Sequence, residues 1–275
     1  MESENVLGAL WGHIIELLSR LKISIFTLFA STLIVLLVPV DIASLGQSLS
    51  ESNYNTVSTM VINRLIQDML PKGVELLPLD WFTPFNVYIS VSIFLGVIIS
   101  SPVILYQVYR FIAPALYEGE KRVVFLFIGS FSILFLAGVV MGYILLVPTT
   151  FRMLLGLTTI LGISPKYELS SFFTIILGGV LMTGLFYTFP VFFLSLVKLG
   201  VLKTSMITGA RKFIYVGVFI LICIITPDPT ILSDVLLFLP TIVLIELSVI
   251  IGKKIEGDRA KAMMSSSVKP RTPTL

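Results

Sequence analysis

VVFLFIGSFSILFLAGVVMGYILLVP, residues 123–148, contains no charged side chain. A helix rises about 1.5 Å per residue, and the hydrocarbon core of a bilayer, about 30 Å thick, is crossed by about 20 apolar residues. This stretch is long enough to cross, and Lys121 and Arg122 close one end of it. Outward from it the pattern repeats at residues 23–40, 85–109 and 172–197, then in two shorter runs at 213–227 and 235–251. The runs are continuous and do not alternate, which sets aside a membrane β-barrel. The expectation is an all-α integral membrane protein, a six-span helical bundle with two short C-terminal spans. Residues 1–254 form the single transmembrane domain. Residues 255–275 are a polar tail, expected to be disordered.

Composition agrees. The 275 residues are 56% hydrophobic and only 13% charged, with mean hydropathy +1.01. Soluble domains carry about 25% charged residues. Too few charges remain for a solvated shell, so a soluble enzyme, a disordered chain and a collagen-like fibre are excluded. Cys223 stands alone, which removes an intramolecular disulfide, and its apolar run reads as that of a buried, inert thiol. The N-terminus carries Glu2, Glu4 and Glu16 and reads as a retained first helix, with no small-residue cleavage site after the apolar run.

Lys and Arg collect on the cytoplasmic side of membrane proteins. With the N-terminus inside and six spans, only Arg64, Lys72, Arg152 and Lys166 of the 19 basic residues fall outside. Both termini are therefore expected in the cytoplasm, in the cytoplasmic (inner) membrane. Asp228 and Asp234 are then expected at the outer surface. Asp228-Pro229 forces a turn between the last two runs, which are either two short spans, the preferred reading, or a re-entrant hairpin. The long outer connection, Asp41 to Pro84, holds an amphipathic stretch over Met60–Leu70, lying on the membrane or over the bundle. Trp81, Phe82 and Phe85 mark the interface. Gly138 and Gly142, with Gly178, Gly179 and Gly184, point to close helix packing. Pro102, Pro148, Pro190 and Pro240 should bend or end helices.

No catalytic constellation is present, and His13 is the only histidine. No enzyme activity, metal, cofactor or nucleic acid partner is expected. Glu246 is the one acid deep in an apolar run, which makes it either functional or paired with a base such as Lys253. Glu16 and Arg20 share a helix face at i, i+4. Glu120 lies in a short basic inner loop. Two carboxylates on a basic face are either balanced loop charges or acceptors for two guanidinium groups. A secondary transporter or channel for a small solute or ion is the alternative class, weakened by the scarcity of intramembrane ionisable groups.

The stretch His13-Ile-Ile-Glu16-Leu-Leu-Ser-Arg20 resembles the N-terminal H-L-x-E-L-R-x-R signature of the TatC family, the multispanning receptor of the twin-arginine protein translocase. Ser101 to Arg122, with Pro102, Phe111, Pro114, Tyr117 and Glu120, is similar to that family's second span and first inner loop. Phe135 to Pro148, with Tyr143, is similar to its third span, and Thr226-Pro227-Asp228-Pro229 and Glu246 to its last two. The resemblance implies a core subunit that binds twin-arginine signal peptides and recruits single-span proteins of the TatA/TatB type. It further implies self-association in a larger complex that exports folded proteins on the proton gradient. It makes Glu16, Arg20, Phe111 and Glu120 signal-peptide contacts, and Pro102, Tyr143, Thr188, Asp228 and Glu246 candidate translocation or partner contacts. Three departures stand out: Leu18 replaces an arginine, Thr188 an acid, and Asp228 is displaced by one residue.

Overall fold

The computed structural model describes residues 2–39, 56–112, 121–162, 164–198, 204–226 and 231–267. The helices in chain order are α1 (Glu2–Leu37), α2 (Val57–Met69), α3 (Thr83–Ile112), α4 (Lys121–Met141), α5 (Val147–Ile160), α6 (Leu169–Lys198), α7 (Thr204–Gly209), α8 (Arg211–Ile225) and α9 (Ile231–Ser267). Five stretches are long and apolar enough to cross a membrane: Ile14–Leu37, Thr83–Val108, Ile128–Ile160, Leu169–Val197 and Ile231–Gly257. These match five of the six apolar runs. The sixth forms α8, whose 15 residues rise only about 22 Å.

α6 is the hub. It packs against α3, α4, α5 and α9, while α1 lies along α3 and α8 along α9. Glycine permits the closest of these approaches. A Cβ on Gly138 would come within 2.7 Å of the Gly184 Cα and the Thr183 carbonyl. The small-residue faces of α4 and α6 therefore serve packing, as their spacing predicts.

α2 is the amphipathic stretch of the long connection between α1 and α3, and it covers the bundle. Leu65 and Met69 join Val87, Val91, Phe151, Phe172, Phe173 and Ile176 in one buried cluster. Thr56 caps the helix, its Oγ1 accepting from the Thr59 amide at 3.3 Å. The same region satisfies the end of α1. Ser58 donates to the Val35 carbonyl at 3.2 Å and Tyr88 to the Leu36 carbonyl at 2.5 Å. Those carbonyls lack partners within their own helix.

Four expectations change. First, Pro148 does not end its helix. A π-helical turn at Gly142–Leu146 precedes it, and Pro148 stands in the first turn of α5, where its missing amide costs nothing. The helical path thus continues to Ile160. Second, a two-stranded parallel sheet pairs β1 (Glu75–Leu77) with β2 (Lys166–Glu168), Glu75 opposite Lys166, their side chains 3.2 Å apart. Three residues give no readable period, so this pairing is invisible locally. Third, α9 runs on to Ser267, so residues 255–267 of the tail are helical. Extension from an existing helix needs no new nucleus, and Ala, Lys and Met favour it. Fourth, Cys223 is exposed on α8. In a bilayer the outer face is itself apolar, so apolar neighbours do not imply burial.

Candidate functional site

Glu16 and Arg20 lie one helical turn apart on α1, at the start of its apolar stretch, and Arg20 Nη2 donates to Glu16 Oε1. Arg20 is the more buried of the two, and its Nε is buried with no partner among the described residues. The second Glu16 oxygen has no hydrogen-bond partner among the described residues, and a third of the side chain is exposed. Leu18 points away and is exposed.

The depth of this pair is set by the packing of α1 on α3. Ser31 donates to the Gly96 carbonyl at 3.0 Å, a closeness that glycine allows because a Cβ there would meet Thr32 Oγ1 at 2.3 Å. The helices are antiparallel. Counting from that contact, Glu16 and Phe111 are equally distant along their own helices, so both lie at the same end of the bundle. Glu16, Arg20 and the last turn of α3 therefore lie at the same end of the bundle. The Phe111 side chain and Glu120 lie outside the described residues, as does Asp228.

The other predicted residues do not form one site. Pro102 is exposed within α3. Tyr143 stands in the π-helical turn and donates to Asp68 of α2, which also accepts from Arg64 Nε at 2.9 Å. Thr188 is buried, and its Oγ1 donates to the Leu185 carbonyl of its own helix at 2.6 Å. Glu246 pairs with Arg211 of α8 at 3.0 Å and accepts from the Tyr215 hydroxyl.

Two expectations are corrected here. The partner of Glu246 is Arg211, not Lys253. Lys253 lies two turns along the same helix, about 10 Å away in rise, whereas α8 brings Arg211 alongside. Asp234 is not at the surface. It is 6% exposed and accepts from Thr226 Oγ1 at 2.8 Å. Sequence reading missed Asp68, Arg64, Arg211 and Tyr215. The i, i+4 spacing of Arg64 and Asp68 was the available signal; Arg211 and Tyr215 meet Glu246 only through tertiary packing.

Chemically, the start of the apolar stretch of α1 offers a carboxylate, one oxygen of which has no partner among the described residues, beside a largely buried guanidinium. A planar donor such as a second guanidinium suits that carboxylate.

Comparison with known proteins agrees with the architecture. Residues 12–240 match the family model described as Sec-independent protein translocase protein (TatC). The TatC protein of Listeria innocua is 30% identical over 244 residues, 89% of this chain and 91% of that one. That of Escherichia coli K12 is 30% identical over 88% of this chain and 86% of its own. That of Aquifex aeolicus is 36% identical over 66% of this chain and 75% of its own. Among solved structures, two crystal structures of the twin arginine translocase receptor TatC, one of them in DDM, superpose with TM-scores of 0.68 and 0.71 at 30% identity. They cover 89% and 87% of this chain and 99% of their own chains. With nearly the whole length matched in sequence and in fold, this chain belongs to the TatC family.

Proposed function

We propose that this chain, as a component of a Sec-independent protein translocase, is the signal-peptide receptor and core subunit of a twin-arginine translocation complex. It captures folded cargo through a paired-arginine signal peptide at the cytoplasmic face. It recruits single-span partners of the TatA/TatB type and associates with further copies of itself. The complex moves the cargo outward across the cytoplasmic membrane on the proton gradient. All six apolar runs cross, α8 and α9 being the last two, and both termini stay inside. The outside count of four bases supports that orientation. No catalytic step belongs to the chain.

The observation that carries this reading is the placement of Glu16. Its carboxylate lies at the end of the bundle where α1 and α3 meet, with one oxygen uncommitted, level with the turn that holds Phe111. Glu120, just before the first residue of α4, supplies the second acid. Lys cannot reproduce the planar fork of Arg, so two carboxylates select an arginine pair over lysines.

The test is photo-crosslinking of an Arg-Arg signal peptide to the full chain in membranes. Glu16→Ala and Glu120→Ala are each expected to cut the crosslink about tenfold, the loss of one charged hydrogen bond, while insertion is unchanged. Undiminished crosslinking in the double variant overturns the assignment.

A further inference from the structure

A cavity of about 90 Å³ lies between α5, the start of α6 and the end of α2. Phe151, Leu154 and Leu155 of α5, Phe172 and Ile175 of α6, and Leu70 line it. Tyr167 and Ser171 also reach its wall, but their hydroxyls are used elsewhere. Tyr167 donates to Thr158 Oγ1 at 3.5 Å and Ser171 to the Glu168 carboxylate at 2.8 Å. The Pro71 carbonyl accepts from the Val74 amide at 3.3 Å. A water needs two to four polar partners, so a cavity walled in this way stays dry and takes an apolar occupant. Its volume is smaller than that of an engineered dry cavity that binds benzene, about 150 Å³. It suits a few methylenes of an alkyl chain.

The surroundings say which alkyl chain. Met153, Leu157 and Ile160 form an exposed apolar stripe on α5, next to the wall residues of the same helix. In a bilayer such a stripe faces lipid. Arg152 is the first charged residue after Arg122, so the path of α4 and α5 nears the headgroups there. Of the four bases around α2, α5 and the small sheet, Arg64 pairs with Asp68 and Lys166 with Glu75. Lys72 and Arg152 are exposed and enter no ion pair among the described residues. Each adjoins a residue of the cavity wall, Lys72 beside Pro71 and Arg152 beside Phe151. The neighbouring acids are engaged, Asp68 and Glu75 by those bases and Glu168 by Ser171. Two positive charges thus remain beside a dry cavity that borders lipid, which complements a negative headgroup carrying an alkyl chain.

We propose that this cavity is a binding site for an anionic phospholipid of the adjacent leaflet. The upper methylenes of one acyl chain fill the cavity, and Lys72 and Arg152 donate to the phosphate oxygens. The guanidinium of Arg152 offers two N–H groups at once, and Lys72 adds a point charge. Occupied, the site links α5, α6 and the end of α2 to the bilayer. It requires only that the chain spans a membrane; neither signal-peptide binding nor the direction of insertion enters.

The experiment uses the full chain in phosphatidylcholine vesicles doped with phosphatidylglycerol that carries a photoreactive diazirine near the ester end of one chain. Labelled peptides are identified by mass spectrometry. Labelling is expected to concentrate on the segments 151–155 and 171–175, and unlabelled phosphatidylglycerol should displace it while added phosphatidylcholine does not. Lys72→Gln and Arg152→Gln should each weaken the labelling about fivefold, the worth of one basic residue against anionic lipid. Leu154→Trp fills the cavity and should weaken it about fourfold for each methylene excluded. Where Leu154→Trp fails to fold, Ser171→Phe at the cavity wall replaces it. Lys253→Gln, a charge loss on α9, should leave labelling of these segments as in the wild type. Equal displacement by phosphatidylcholine overturns the proposal, as does labelling spread evenly over the helices. Labelling that survives both the filling variant and the loss of both bases also overturns it.

Discussion

Arg211, the first residue of α8, and Glu246, within the apolar stretch of α9, stand 3.0 Å apart, and Tyr215 donates to the same carboxylate. A lone charge at that depth is costly, and pairing offsets the cost. The pair also fixes how deep the short helix α8 sits against α9. Glu246→Gln is expected to lower stability in detergent by about 1–3 kcal/mol, the range for hydrogen bonds to charged groups. The double variant Arg211→Gln, Glu246→Gln should recover part of that loss. Thermal unfolding of all four proteins gives the coupling. A double variant as unstable as the sum of the singles contradicts the pairing.

The contact of Gly138 with Gly184 brings α4 against α6 without intervening side chains. Gly138→Ala places a methyl 2.7 Å from backbone atoms that cannot move independently. A destabilisation of about 1–3 kcal/mol is expected, typical of overpacking. Gly129 sits in the same helix with no atom near its would-be Cβ. Gly129→Ala should stay within about 0.5 kcal/mol of the wild type. Comparable losses in the two variants, followed by denaturation in detergent, contradict the packing account.

Tyr143 ties α2 to the π-helical turn through Asp68, which Arg64 also holds. Tyr143→Phe removes that donor and keeps the ring. It should cost about 1 kcal/mol and raise amide hydrogen exchange across Val57–Met69, while α9 exchanges as before. An unchanged exchange rate in α2 means that its apolar face alone holds it in place.

Trp81 is 97% exposed beside the start of α3, while Asp234 is buried against Thr226. With Cys223 first replaced by Ala, Trp81→Cys in intact cells should react with a membrane-impermeant thiol reagent. Asp234→Cys should react only after unfolding. Reaction of Trp81→Cys only after lysis reverses the proposed orientation, and ready labelling of Asp234→Cys contradicts the packing at the start of α9.

The apolar runs were enough to place the apolar centre of every long helix, though not its ends, because a span is a one-dimensional requirement: about 20 apolar residues for about 30 Å of hydrocarbon. The motif around Glu16 and Arg20 was likewise legible, since an i, i+4 pair lies within one helix and its partners are set by spacing alone. The amphipathic period of α2 was readable for the same reason. Contacts across helices were not. Arg211 reaching Glu246, Tyr143 reaching Asp68, Asp234 turning inward to Thr226 and the pairing of Glu75 with Lys166 each join residues whose separation in the chain carries no period. Apolarity misled at Cys223, because in a bilayer an apolar side chain is at ease facing either the core or the lipid. The sequence by itself therefore determined that the chain is a membrane bundle and where the centres of its long helices lie. Only the tertiary structure decided which polar groups inside that bundle are satisfied, because hydrogen-bond partners at hydrocarbon depth come from neighbouring helices.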